Sequence, residues 1–413
     1  MRVLVTHPGR QHSHQAALAL ERAGMLAGYW SGVPAVAAQS RRVPARLRRR
    51  FDRYAPVPID RRRARWFPLT PALRRLGDGL LPAAGAAHVD LAACRLFDLW
   101  AAAGLRRWPE AAALPRPDAV IACEISAPDT FRAARRLGIV TILDAPSLER
   151  RAQDALHGTT DPPALHRRIA GIKDAEIALA DHVLTVSELA RDTYLRAGVA
   201  ADRVHAVMLG ADLELFTPGE AGDGAAAGDG NFVFLFCGAT IARKGFDVLL
   251  AAFDRVCERQ PAARLRVVGP RGDAAGLLDA RAGRPIAVSG PVGQAELAGE
   301  LRRADCLVLP SRNDSYGMVV AEALACGLPV LVSDMVGAKA LVTPGENGWI
   351  VPAGDAAALA DRMTWCAANP AAVRALRERC RESAADASWP AYHQRLATLV
   401  RTLVAARTGE AGR

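Results

Sequence analysis

The stretch "DCLVLPSRNDSYGMVVAEALACGLPVLV" (residues 305–332) decides the fold. Its first apolar run, CLVL at 306–309, is continuous rather than alternating, as a strand buried on both faces must be. Pro310 ends that run, and Gly327 with Pro329 ends a second apolar segment that begins at Met318. VLV at 330–332 then resumes the strand pattern. Strand, loop, short helix and strand in this order make one parallel β-α-β unit. The loop carries Asp314, Ser315 and Gly317. Ser315 is predicted to cap the helix, and Gly317 to let the backbone come close to a ligand. The helix is predicted over 318–326. Free amides of Gly317, Met318 and Val319 at its positive end then form an anion site suited to a diphosphate. Glu322 lies one turn further in, among Val, Ala and Leu, where a helix that only covers a sheet has no use for a carboxylate. An acceptor on each side of an anion-binding helix start suits a molecule with hydroxyls on both sides of a diphosphate. A nucleotide sugar has that layout.

The same alternation runs along the chain. Strands are predicted at 2–5, 119–122, 140–143 and 183–186, and again at 232–236, 265–268, 286–289, 306–309 and 330–332. Ala/Leu/Arg segments of helical period separate them. Between the two sets, GEAGDGAAAGDG (219–230) cannot build a core and reads as a linker. The expectation is an α/β chain of two facing, doubly wound parallel-sheet domains, residues 1–205 and 206–390, with ligand at the carboxyl ends of the strands. AYHQRLATLVRTLVAA (391–406) is expected to form a closing helix, residues 391–413 making a C-terminal helix and tail.

Hydrophobic residues make up 51% and charged residues 23% of 413 positions, an ordinary globular composition with material for large cores. No apolar run reaches the ~18 residues that span a bilayer. MRVLVTHPGR (1–10) turns polar too early for a signal-peptide core, so a cytoplasmic protein is expected. The eight cysteines are scattered without a C-x-x-C pair and read as buried reduced thiols. Charge is concentrated. Residues 41–75 hold 13 Arg against Asp52 and Asp60, more positive charge than the whole chain's net +10. Phe51, Tyr54, Trp66 and Phe67 are interleaved with it, which fits docking on the inner face of an anionic membrane. RNA binding and a solvated loop are the other readings of that run; no nucleic acid is expected.

The Asp314-to-Glu322 spacing resembles the E-x7-E motif of retaining glycosyltransferases of family 4, which have the GT-B fold, two facing Rossmann-like domains with an interdomain cleft. The resemblance extends over "LTVSELARDTYLRAGV" (184–199), "LGADLELFTPG" (209–219), "FLFCGATIARKGFDVLLAAF" (234–253), "VSGPVGQAELAGELRRADCLVLPS" (288–311) and "GENGWIVPAGD" (345–355). It implies that Glu322 accepts hydrogen bonds from ribose hydroxyls and that Asp314, one methylene shorter than the family's first Glu, holds hydroxyls of the donor sugar. Lys244, in GATIARKG (238–245), falls at the position of the family lysine that grips the diphosphate. It is one of three Lys in a chain with 50 Arg. Ala239 stands where the family often has Arg, and Arg243 is expected to supply the second charge. Gly238 belongs to the same donor loop, and Val292 in GPVG (290–293) to the loop that lines the base. No D-x-D triplet occurs, and the resemblance implies no metal and no cofactor beyond the nucleoside-diphosphate sugar as substrate.

THPGRQHSHQAALALERAG (6–24) opens a helix after the first strand, with Gly9 where the family usually has a glycine pair. Gly9, Arg10 and His12 are candidates for binding the acceptor or a phosphate on it. A metal cluster of His7, His12 and His14 lacks the spacing of zinc sites. Asp144 and Ala145 fall where the family often has a His, and Asp144 and Glu124, at carboxyl ends of strands, are candidates for sugar or acceptor hydroxyls. The expected activity is transfer of a sugar with retention onto a glycan or lipid-linked acceptor in cell-envelope synthesis. An epimerase or phosphorylase of the same fold, or a binding protein with a degenerate site, are the alternatives. No G-x-G-x-x-G follows the first strand, which argues against a dinucleotide enzyme.

Overall fold

The apolar runs form two parallel sheets. The computed structural model describes residues 1–40, 56–108, 115–157, 162–219 and 230–408. The first fifteen residues of the Arg-rich run, nearly all of the Gly/Ala/Asp tract and the last five residues of the tail lie outside them. The first sheet contains β1 (Val3–His7), β2 (Leu26–Ser31), β3 (Ala64–Trp66), β4 (Ala119–Cys123), β5 (Val140–Ala145), β6 (His182–Thr185) and β7 (Val204–Ala206), in the order β3-β2-β1-β4-β5-β6-β7. The second contains β8 (Phe232–Cys237), β9 (Ala263–Val268), β10 (Ile286–Ser289), β11 (Cys306–Leu309), β12 (Val330–Ser333) and β13 (Gly348–Val351), in the order β10-β9-β8-β11-β12-β13. Each order grows outward in one direction and then reverses. The reversal falls between β1 and β4 in the first sheet and between β8 and β11 in the second. Loops leave opposite sides of the sheet there and open a crevice beyond the strand ends.

Contacts divide the chain into two compact units. The first joins Met1–Thr185, Thr193–Val207 and Tyr392–Arg413; the second joins Val186–Asp192 and Met208–Ala391. Leu4, Trp30, Phe97, Leu105, Phe131 and Leu143 are packed in the core of the first. In the second, Phe234, Phe236, Phe246, Phe253, Leu309 and Leu324 are fully buried. Each such side chain contributes roughly 1.5–3 kcal/mol by leaving water, which is why continuous apolar runs became central strands. From Tyr392 onward the helix Trp389–Thr408 belongs to the first unit. In it Arg22 donates to His393 Nδ1 at 3.0 Å, and His393 Nε2 donates to Gln15 Oε1 at 2.9 Å. All eight cysteines are free thiols, and all but Cys257 are buried.

Candidate functional site

In the second unit the chain leaves β8 at Gly238 and makes a tight turn. Thr240 Oγ1 accepts from Gly272 N at 2.8 Å, and Asp273 Oδ1 from Ala242 N at 3.1 Å. The turn Ala242–Lys244 then feeds the helix Phe246–Arg259 through Gly245. Gly245 has φ +67°, and a Cβ there would lie 2.0 Å from the carbonyl oxygen of Pro310. Gly245→Ala should therefore destabilise the protein by about 3 kcal/mol or more, from left-handed strain plus a backbone clash. A thermal melt should show a fall of about 6–12 °C for a unit of this size.

The loop after β11 is tied to that turn. Arg312 N donates to Arg243 O at 2.9 Å, and the Arg243 guanidinium donates to Asn313 O at 3.0 Å. The Arg312 guanidinium grips both carboxylate oxygens of Asp247, at 2.5 and 2.7 Å, and holds that carboxyl below the usual range. Between these clamps the Lys244 ammonium donates to Asp314 Oδ2. The pair spans the switch point between β8 and β11, with both side chains mostly buried. Lysine and acid, assigned separately from the sequence to diphosphate and sugar, hold each other.

The helix Met318–Ala325 begins at Gly317, which has φ +88°. Ser315 is not the cap; its carbonyl accepts the Ser187 hydroxyl, and no side chain caps this helix. A Cβ on Gly317 would stand 2.8 Å from Val336 Cγ1 and 3.5 Å from Asp314 Oδ2, so the acid borders the helix start. Among the described residues no acceptor meets the amides of Gly317, Met318 or Val319. Glu322 is 6% exposed, and among the described residues no donor or cation meets its carboxyl. Burial alone pushes its pKa up to about 7. The arrangement offers a lysine, three open amides and a mostly buried carboxylate that no described donor meets, beside one switch point, a set that fits an anion carrying hydroxyls. Val292 lies on the exposed 290–293 loop that leads into the helix Gln294–Arg302.

In the first unit, the loop after β1 brings Gly9, Arg10 and His12 to the β1/β4 switch point. The three histidines go to different partners. His7 Nδ1 accepts from Gly9 N at 2.8 Å, and burial takes its pKa down to about 4. His14 Nδ1 donates to Gln11 O at 2.8 Å. His12 Nε2 donates to Asp144 Oδ1 at 3.0 Å. Burial opposes the charge on both partners of this pair, but each outweighs it for the other, so the His12 pKa is raised and the Asp144 pKa lowered. An imidazole thus stands at Asp144 after all, delivered from the loop after β1 instead of from β5.

Glu124 is placed by its neighbours. Ile125 has φ +70°, a costly conformation for a β-branched residue. Glu176, fully buried, holds it there by accepting from the amides of Ile125 (2.9 Å) and Ala127 (3.0 Å), and burial pushes its pKa to about 8. The Glu124 carboxylate pairs with Lys173 at 3.2 Å and accepts from the Ser147 hydroxyl at 2.9 Å. Lys173, Ser147 and Glu176 were not anticipated. The rarity of lysine that singled out Lys244 points equally to Lys173.

The profile of the family described as Glycosyl transferases group 1 matches residues 231–369, inside the second unit. The D-inositol 3-phosphate glycosyltransferase of Saccharomonospora viridis is 31% identical over 296 residues, covering 67% of this chain and 68% of that protein. The D-inositol 3-phosphate glycosyltransferase 1 of Catenulispora acidiphila is 34% identical over 261 residues, 59% of this chain and 61% of that protein's length. Among solved structures, the sucrose-phosphate synthase of Thermosynechococcus elongatus superposes with a TM-score of 0.69 at 21% identity, covering 98% of this chain and all of that one. HepE of Anabaena, solved with UDP, gives 0.66 at 15% identity over 97% of this chain and all of that one. At these identities the structural likeness is one of fold, and it assigns the two parallel-sheet units to the GT-B class. On its fold and its curated relatives, the chain belongs to the glycosyl transferases group 1 family.

Proposed function

We propose that the protein is a retaining glycosyltransferase that moves a sugar from a nucleoside diphosphate onto an acceptor hydroxyl. The observation that carries the reading is the group around the second unit's switch point: open amides at 317–319, Lys244 on Asp314, and a buried Glu322 without a donor. A diphosphate supplies acceptors to the amides and a second anion to Lys244. Ribose hydroxyls supply the donors that Glu322 lacks. Asp314, loosened from the lysine, is free to accept from hydroxyls of the sugar.

Positive charge at Lys244, with Arg243 beside it, stabilises the leaving diphosphate as its bond to the sugar breaks, so no metal is required. A phosphate oxygen of the departing donor takes the acceptor proton on the same face, which retains the anomeric configuration. In the first unit Gly9, Arg10, His12, Asp144 and Glu124 bind the acceptor or the sugar. The acceptor class is a polyol, glycan or lipid-linked saccharide; curated relatives act, by name, with D-inositol 3-phosphate. The Arg-rich run 41–75 docks the protein on an anionic leaflet where a lipid-linked acceptor of the cell envelope is presented. No helix among the described residues is long and apolar enough to cross a membrane.

HepE has been solved with UDP and with UDP-glucose, which puts UDP first in a panel with GDP and ADP. One of these nucleotides at a hundred times its Kd should stabilise the protein by about 2.7 kcal/mol. A melt unmoved by all three, together with no turnover of their sugars, overturns the reading.

A further inference from the structure

Among the described residues of the first unit, a helical hairpin gathers exposed leucines. Twelve large hydrophobic side chains are exposed among the described residues, and six of them, Leu69, Leu76, Leu80, Leu81, Leu96 and Leu99, fall within 31 positions. Chance placement would not gather half of them there. The hairpin packs inward normally. Gly77 of the helix Leu69–Leu80 lies against Val89 of the helix Ala83–Arg106, and Leu91, Cys94 and Phe97 of the second helix are buried.

The first helix turns a second apolar stripe outward. Leu69, Ala72, Leu76 and Leu80 are spaced by three, four and four residues, so they share one face, and Leu80 is 76% exposed. Leu81 at the hairpin tip and Leu96 and Leu99 on the second helix are exposed as well. Arg75 and Arg95 are exposed beside these leucines. The acids of the hairpin whose side chains are described are engaged elsewhere. Asp90 holds Arg74, and the buried Asp98 accepts from the amides of Asp129 and Thr130.

We infer that this hairpin is the protein's membrane-seating surface, its leucines entering the headgroup layer of an anionic leaflet and its arginines meeting lipid phosphates. A second protein copy would also cover leucines. Cations beside the stripe, without a free acid among the described side chains, match an anionic bilayer and would repel an identical surface. A helix packed inward on its own unit, with an outward apolar stripe and no spanning length, is suited to lie at the interface. The inference rests on the membrane part of the proposed function and adds the leucines to the basic run; it does not depend on glycosyl transfer.

The test sediments the full chain with phosphatidylcholine vesicles, with and without about 30% phosphatidylglycerol. The protein should bind the anionic vesicles at least about tenfold more tightly, and L76E/L80E should cut that binding about tenfold or more with an unchanged melt. L96S/L99S gives an independent check should the first variant misfold. A third variant replaces the seven arginines between Arg41 and Arg53 by glutamine. Loss of binding in that variant but not in either leucine variant overturns the hairpin and leaves the basic-run reading standing. No binding by the native chain overturns both. A native dimer that L76E/L80E converts to monomer, without vesicle binding, assigns the stripe to a second copy and overturns the inference.

Discussion

Replacing Lys244 by alanine should lower kcat about a hundred- to a thousandfold, the usual cost of removing one preorganised group that meets charge growing in the transition state. The site concentrates its positive charge sparingly. Arg243 is committed to the Asn313 carbonyl and Arg312 to Asp247, so Lys244 is the cation at the switch point whose partner, Asp314, is itself a ligand candidate. A diphosphate that displaces Asp314 gains a full charge at short range. On the proposed mechanism the leaving group would gain most as its bond breaks, so kcat should fall more than KM rises. Lys244→Arg keeps the charge but not the compact ammonium, and should recover part of the loss. Steady-state kinetics of both variants, with melts to confirm folding, check this. Full activity in the alanine variant would remove Lys244 from the chemistry.

Glu322→Gln should make the ligand-free protein more stable while weakening its hold on nucleotide. The folded-state pKa of Glu322 is raised to about 7 from 4.5. A raised acid keeps its proton in the folded state where the unfolded chain has lost it, so native stability falls as pH rises between these values and levels off above the upper one. Fully developed, that cost is on the order of 3 kcal/mol. Glutamine has no such charge to bury. The variant should melt several degrees above the native protein at pH 8 and no higher at pH 4. Its nucleotide Kd should rise about ten- to a hundredfold, the worth of hydrogen bonds to a charged acceptor. Equal nucleotide affinity in the two proteins would end the ribose role, whatever the melts do. The pH series separates the two halves of the prediction, since only the stability half depends on ionisation in the free protein.

How far the sequence carried these conclusions depended on burial. Long apolar runs such as FVFLF and CLVL were legible as strands because central parallel strands are buried on both faces. Four strands were not legible. LAGYWS of β2 holds Gly28 and a serine, and ARW of β3 sits within the Arg-rich run. VHA of β7 is three residues long, and GWIV of β13 follows directly on a turn. Tertiary pairing made strands of them where local preference did not.

The site divided in the same way. Glu322 was conspicuous because an acid amid Val, Ala and Leu contradicts its surroundings, and Gly317 because a glycine opens the helix. Pairings across the fold were invisible. Arg312 and Asp247 are 65 positions apart, and His12 and Asp144 are 132 apart. Only the sheet order brings such partners together.

The first unit closes on a segment made very late. Its sheet is complete by Ala206, yet residues from Tyr392 onward belong to it, and Gln15, Arg22 and Asp181 wait for His393 and Arg407. On the ribosome the second unit must therefore emerge before the first can be finished. Until then the nascent amino-terminal half carries an uncovered flank, a natural stopping point for chaperones and proteases.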